Sequence, residues 1–230
     1  MNANNSSSIV YVVDDDISIR DALTLLIESA NITVRSFESA LDFLKNYNPD
    51  LPCCLLLDIN MPKMNGHELQ AELISRNIKI PIIFISGEAQ VNDPIKAFRN
   101  GAVNFLEKPF DHALVLKNIN EAIRMDTEYK KDSLNKNLIQ KNIDKLTARE
   151  KDVLNLIVKN YSNKEAAKIL NISNRTVEVH RCRVMEKMHA DNIIDLLIKI
   201  IYCKSSGASW FDPLSERFKA IISNKTARII

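Results

Sequence analysis

Glycine is scarce in this 230-residue chain: there are four, and none falls in a G-x-G-x-x-G or Walker-type loop. Such loops bring backbone N–H groups against phosphates, so their absence argues against a nucleotide cofactor. Long apolar runs are missing too. None approaches the roughly 20 residues needed to span a bilayer, so no membrane partner is expected. The segment Met1-Asn2-Ala3-Asn4-Asn5-Ser6-Ser7-Ser8 lacks the basic and apolar stretches of a secretion signal. The four cysteines (Cys53, Cys54, Cys182, Cys203) have no zinc-ligand spacing, which points to reduced thiols in a cytoplasmic protein. There is no internal repeat and no low-complexity tract.

The chain is long for one small domain and suits two. Its formal net charge of +2 conceals a split. Residues 1–125 hold 11 Lys/Arg against 16 Asp/Glu, residues 126–203 hold 15 against 11, and residues 204–230 hold 5 against 2. An acidic front half and a basic back half suggest different partners for each. Nucleic acid suits the basic half, and a solvated charged face is the alternative.

In the front half, apolar strands read at Ile9–Val13, Thr33–Phe37, Cys54–Leu57, Ile82–Ile85 and Val103–Leu106. Amphipathic segments lie between them, such as Asp16–Ala30, with Ala22, Leu23, Leu26, Ile27 and Ala30 on one stripe. Asp93-Pro94 reads as an N-cap followed by a first-turn proline, with Gly101 as the left-handed C-cap. Strands alternating with helices predict an α/β fold, a doubly wound five-stranded parallel sheet. Residues 126–143 read as a polar linker, helical near its start. Residues 144–203 show only helix signals and predict an all-α four-helix unit. Capping boxes stand at Thr147-Ala148-Arg149-Glu150 and Ser162-Asn163-Lys164-Glu165, with further N-caps at Ser173 and Asp191. The extension 204–230 carries a breaker at Ser205-Ser206-Gly207 and a short amphipathic stretch, Trp210 to Ile222.

Ligands of open parallel sheets bind outside the carboxyl ends of the strands. Leu55-Leu56-Leu57 delivers Asp58 to that edge, and Val10-Tyr11-Val12-Val13 delivers Asp14-Asp15-Asp16. Taken singly, such an acid also reads as a helix cap, and Asp16 is read that way. Clustered carboxylates repel unless a cation holds them, and Mg²⁺ with its oxygen ligands suits the position. The remaining strands end in Ser86-Gly87 and Glu107-Lys108-Pro109-Phe110. Carboxylate, hydroxyl, ammonium and metal around one crevice suit a phosphoryl group, with a carboxylate as nucleophile.

With these residues in view, residues 8–125 resemble a response-regulator receiver domain of flavodoxin-like fold. Val13-Asp14-Asp15 matches the family's acidic pair, and Asp58-Ile59-Asn60-Met61-Pro62-Lys63-Met64-Asn65-Gly66 its phosphoacceptor loop. Ser86-Gly87 matches the switch hydroxyl, and Lys108-Pro109 the lysine followed by cis-proline. The resemblance implies that Asp58 accepts a phosphoryl group from a histidine kinase. It further implies that Asp14, Asp15 and Asp58 hold Mg²⁺ while Ser86 and Lys108 contact the phosphoryl oxygens. Phe105 corresponds to an aromatic switch that moves with Ser86; a plain core aromatic is the other reading. Glu88-Ala89-Gln90 departs from the commonest run after the switch residue, which bears on partner fit.

In the back half, Val177, Val184 and Met188 share a narrow stripe at about 100° per residue, while Arg175, Glu178, Val179, Cys182 and Arg183 fall opposite. That opposite face mixes cations for phosphates with short side chains and a carboxylate able to accept from cytosine N4. His180, at the stripe's edge, reads as a packing residue. Leu146–Glu150, Ser162–Ala167 and Ile172–His180 closely resemble the LuxR-type helix-turn-helix domain. That resemblance implies four helices, the third in the major groove and the fourth supporting dimerisation. By position, Lys164, Asn174, Arg175, Thr176, Arg181 and Arg183 contact phosphates, and Glu178, Val179 and Cys182 face bases. The family's usual glycines are replaced at Asn160-Tyr161 and at Asn171; asparagine tolerates left-handed backbone.

Together the halves resemble the NarL/FixJ class of two-component transcription regulators. This implies a sensor histidine kinase and promoter DNA as partners, a homodimer on phosphorylation, and contact with RNA polymerase. The chain is expected to be no enzyme beyond its own phosphoryl transfer and hydrolysis. Two rivals stand beside this reading. A metal-dependent phosphohydrolase of the haloacid-dehalogenase type would carry a second aspartate where Asn60 stands. A binding module independent of phosphorylation would leave the acidic pocket without a use.

Overall fold

Alternating apolar strands and amphipathic helices fold the first unit, which ends at Lys131. The computed structural model describes residues 8–87, Ala97 and 100–204. The expected helix after Asp93-Pro94, the Glu88-Ala89-Gln90 run and the amphipathic stretch from Trp210 lie outside the described residues. Five strands, β1 (Ile9–Val13), β2 (Thr33–Phe37), β3 (Cys53–Asp58), β4 (Ile82–Ser86) and β5 (Asn104–Glu107), form one sheet in the order β2-β1-β3-β4-β5. Every pairing is parallel. The expected strands match within one residue at each end.

Successive side chains of a strand face opposite sides of the sheet, and both faces are covered here. Ile9, Tyr11, Val13, Leu55, Leu57 and Phe84 pack against α2 (Ala40–Asn46) and α3 (Gly66–Ser75). Val10, Val12, Leu56, Ile83 and Ile85 pack against α1 (Ile17–Ser29) and the start of α4 (His112–Asp144). This is why β1, β3 and β4 are buried at every residue, while the edge strand β2 is half exposed. In α1 the buried residues are Leu23 and Ile27, with Ile19 and Leu26 packed beside them. Ala22 lies exposed, because the stripe turns slightly towards Ile19.

The stretch 126–143, expected as a polar linker helical near its start, is helical to Asp144. It is the second part of α4, and the boundary between the two units falls inside this helix, after Lys131. Asp126 roots the helix in the first unit. Its carboxylate accepts from the free N–H of Cys53 at 2.8 Å and from Lys130 Nζ at 2.6 Å, and Lys130 also reaches the Leu51 carbonyl. Burial pushes the adjacent Cys53 thiol up to about 12, so it stays protonated.

In the second unit follow α5 (Ala148–Val158), α6 (Asn163–Leu170), α7 (Asn174–Lys187) and α8 (Ile193–Lys204). Both expected capping boxes form, and Ser173 caps α7 by accepting from Thr176 N. The cap of α8 is Asn192 rather than Asp191, since Asn192 Oδ1 accepts from Ile194 N and Asp195 N. Asn160 and Asn171 take φ of 61° and 53°, so both turns survive without glycine. Val184 and Met188 enter a core with Val153, Leu154, Leu196 and Ile200, and Val177 joins Ala166 and Ala167.

Glu150 ties this unit together. It closes the capping box on Thr147, and its Oε2 lies 2.7 Å from Lys187 Nζ at the far end of α7. Burial works against the ionised carboxyl, but the bonds from Lys187 and Thr147 outweigh it and hold its pKa below the ordinary 4.5. A depressed carboxylate pKa adds stability above the unfolded value that is lost as pH falls through the folded one. Glu150→Gln should therefore lower stability by about 1 kcal/mol at pH 7. Urea unfolding of both proteins at pH 7 and pH 3.5 checks this: the difference should shrink at the lower pH, and an undiminished one would contradict the pairing.

Candidate functional site

The carboxyl edge of the sheet gathers Asp14, Asp58, Ser86 and Lys108. Asp14 follows the last residue of β1, Asp58 and Ser86 end β3 and β4, and Lys108 follows β5. Register brings the acids together, because Val13 pairs with Leu57. Asp14 is 2% exposed and Asp58 5%. Two buried carboxylates at one point need a cation, and Lys108 supplies it: its Nζ donates to Asp14 Oδ2 and to Asp58 Oδ1, each at 2.8 Å. The other oxygens are held by backbone, Asp14 Oδ1 by Asp16 N at 2.9 Å and Asp58 Oδ2 by Asn60 N at 2.7 Å.

Burial pushes the Asp14 carboxyl above its ordinary 3.8, and the charge of Asp58 adds to the rise against the bonds from Lys108 and Asp16. Burial alone would lower the Lys108 pKa; its bonds to Asp14 and Asp58 reverse that and raise it above 10.5. The ammonium is thus held firmly charged. Ser86 is fully buried, and its Oγ has no hydrogen-bond partner among the described residues. Buried hydroxyls are rarely left so. A ligand oxygen arriving at the edge would satisfy it.

Asp16 caps α1 by accepting from Ser18 N, as expected, and does not join the pocket. Asp15 is exposed, and among the described residues no three His, Cys, Asp or Glu side chains are gathered tightly enough to hold a metal. The donor set still suits Mg²⁺. Its oxygens are hard and two carboxylates converge, while Mg²⁺ keeps several waters and rarely needs a full protein cage. Phe105 is half-buried and packs against the α2–α3 side of the core, beside its register partner Phe84. The Lys108-Pro109 peptide is cis.

Three contributors were not evident from sequence. Arg20 donates to the carbonyls of Asp14 and Asp15 at 2.8 and 3.0 Å and so fixes the acidic turn. His67 lies with its ring tilted against Phe84, centroids 5.1 Å apart. Gly66 packs back against the start of the loop after β3, where a Cβ would come within 2.4 Å of the Asp58 carbonyl oxygen. Nothing in residue spacing signals such approaches.

On α7 the expected faces are observed. Val177, Val184 and Met188 are buried, while Arg175, Glu178, Val179, Cys182 and Arg183 are exposed and, with Glu186, line one shallow concavity. Asn174 and Thr176 are exposed at the start of α7, and Arg181 is half-buried. Lys164 is exposed on α6. His180 is half-buried, in keeping with packing. Asn174, expected as a phosphate contact, is exposed, and its Nδ2 donates to Glu178 Oε1 at 3.3 Å.

Comparison with known proteins gives the same two-part division. Residues 10–120 match the response regulator receiver domain family, and residues 144–200 match the bacterial regulatory proteins of the luxR family. The response regulator protein TodT of Pseudomonas putida is 37% identical over 191 residues, covering 83% of this chain and 84% of TodT. The solved response regulator StyR superposes with a TM-score of 0.79 at 34% identity, over 85% of this chain and 98% of StyR. Full-length FixJ from B. japonicum gives 0.53 at 31%, over 87% of this chain and 99% of FixJ. The chain belongs to the two-component response regulators of the NarL/FixJ class, with a flavodoxin-like receiver and a LuxR-type DNA-binding helix-turn-helix. It is a transcription regulator, and its receiver implies a histidine kinase as partner.

Two outcomes follow from the geometry. Lys108→Met leaves two buried carboxylates without their cation and should cost about 3 kcal/mol at pH 7, partly restored by adding Asp58→Asn. Gly66→Ala should cost about 1–3 kcal/mol by forcing the loop after Asp58 aside. Denaturant midpoints at constant slope check both, and wild-type midpoints in either variant would contradict the site.

Proposed function

We propose that this regulator is switched by a phosphoryl group on Asp58, donated by the phosphohistidine of a sensor kinase. One observation carries the reading: a single ammonium, Lys108 Nζ, bridges the buried carboxylates of Asp14 and Asp58 at 2.8 Å each, on the sheet edge where Ser86 presents a hydroxyl without a partner among the described residues. In the transfer, a carboxylate oxygen of Asp58 forms a bond to phosphorus as the N–P bond of the donor breaks, and the imidazole leaves with the electron pair. Lys108 stays charged throughout and balances the added oxygens, while Ser86 Oγ donates to one of them. Asp14, Asp15 and Asp58 would hold Mg²⁺, which would supply further neutralisation of that charge. Water attack on the acyl phosphate later releases phosphate and restores the carboxylate. The chain acts on no other substrate.

The phosphorylated receiver, with Phe105 following Ser86 inward, shifts an existing equilibrium towards a homodimer. Exposed Ile194, Ile198 and Ile201 along α8 support a dimer contact there, since three apolar side chains on one helical face leave a strip for a second copy. Two recognition helices then engage the two halves of a pseudo-palindromic promoter in the cytoplasm, with RNA polymerase as a further partner. Arg175, Thr176, Arg181, Arg183 and Lys164 contact phosphates, and Glu178, Val179 and Cys182 face bases.

Incubation of wild type and Asp58→Asn with Mg²⁺ and acetyl phosphate tests this. The expected result is a phosphoprotein mass on wild type alone, with a shift towards dimer on gel filtration. Phosphate on both proteins would remove Asp58 from its role, and phosphate on neither would sink the switch.

A further inference from the structure

We propose that Glu178, oriented by Asn174, makes the recognition helix select cytosine at one position of each half-site; this rests on the DNA-binding reading of α7 given above. The observation is the Asn174 Nδ2 to Glu178 Oε1 hydrogen bond of 3.3 Å across one turn of α7. Asn174 is Glu178's hydrogen-bond partner among the described residues and engages Oε1, so Oε2 of this exposed side chain stays available to a base. The bond also restricts the side-chain torsions of Glu178, which removes part of the entropy lost when a free glutamate is ordered against a base.

The position is fixed by packing. Val177 and Val184 are fully buried and Met188 nearly so, and this sets the rotation of the helix about its axis. Glu178 then lies on the outward concavity with Arg175, Val179, Cys182 and Arg183. In helix-turn-helix docking, residues of the N-terminal part of the second helix reach base edges. A carboxylate on a face that meets phosphates weakens every complex by repulsion, whatever the sequence. Only a base that donates to it recovers the loss.

The major-groove edges say which base that is. Guanine offers N7 and O6, both acceptors, and thymine offers O4 and a methyl group. A carboxylate meets lone pairs at either. Adenine donates from N6 but sets the N7 lone pair beside it. Cytosine donates from N4, with no acceptor next to it on its own edge. The order is therefore cytosine, then adenine, then thymine and guanine. Asn174 is a positioning residue here: it acts through Glu178 and touches no base.

The test uses the full chain with Mg²⁺ and acetyl phosphate, selecting duplexes from a random library, followed by salt titration on the selected site. Wild type should show one cytosine column per half-site, favoured about tenfold over the other bases. Glu178→Gln, whose amide can bond adenine N6 and N7 together, should move that column from cytosine to adenine. Asn174→Ala should flatten the column several-fold and leave the salt slope unchanged, which loss of a phosphate contact or of folding would not. Arg183→Ala should weaken all sequences alike and lower the salt slope by about one, with the column intact. A column unmoved by Glu178→Gln overturns the proposal, and a motif identical to wild type in Asn174→Ala overturns the positioning role. Enrichment of no sequence by wild type would instead overturn the DNA-binding reading beneath it.

Discussion

The Lys108 ammonium is the charge on which the receiver's working edge depends. Asp14 and Asp58 are buried together, and their repulsion would drive one of them to protonate or force the edge apart. With Nζ at 2.8 Å from both, each acid keeps an opposite charge at hydrogen-bond distance. The parallel sheet makes this geometry available: β1, β3 and β5 all present their carboxyl ends on one side, and Val13 lies in register with Leu57. An antiparallel order would have sent the acids to opposite edges. The fold serves the site by direction as much as by packing.

The second unit relies on local economy of a different kind. Helix ends that would leave backbone groups unsatisfied are closed by Thr147 with Glu150, by Ser162 with Glu165 and by Ser173. Glu150 then reaches Lys187, so one side chain both starts α5 and holds the end of the recognition helix. The buried stripe of Val177, Val184 and Met188 sets which side of α7 faces outward. Orientation of the reading face thus comes from apolar packing, and its chemistry from exposed side chains on the opposite face.

Much of this was legible in the residues. Strands announced themselves because β1, β3 and β4 are buried on both faces and must be apolar throughout. Caps were legible because their chemistry is local, confined to four consecutive residues. The candidate pocket followed from strand ends alone, with no contact known. What escaped was either long-range or cooperative. The root of α4, with Asp126 on the Cys53 N–H, joins positions 73 apart. Continuity of α4 through its polar second part was hidden by composition, since that part packs through few side chains such as Ile139 and Ile143. Arg20 and Gly66 act on backbone carbonyls, which no residue pattern displays. The bond from Asn174 to Glu178 escaped too, because exposure and polarity do not reveal a side-chain pairing one turn apart.

The claim joining both halves is that charge added at Asp58 controls the reading helix. Fluorescence anisotropy of a selected promoter duplex, titrated with the full chain at fixed salt, tests it most directly. Wild type should bind more tightly after acetyl phosphate with Mg²⁺, while Asp58→Asn should bind at the weaker level whether or not the donor is present. Equal affinity of wild type with and without the donor would contradict the account.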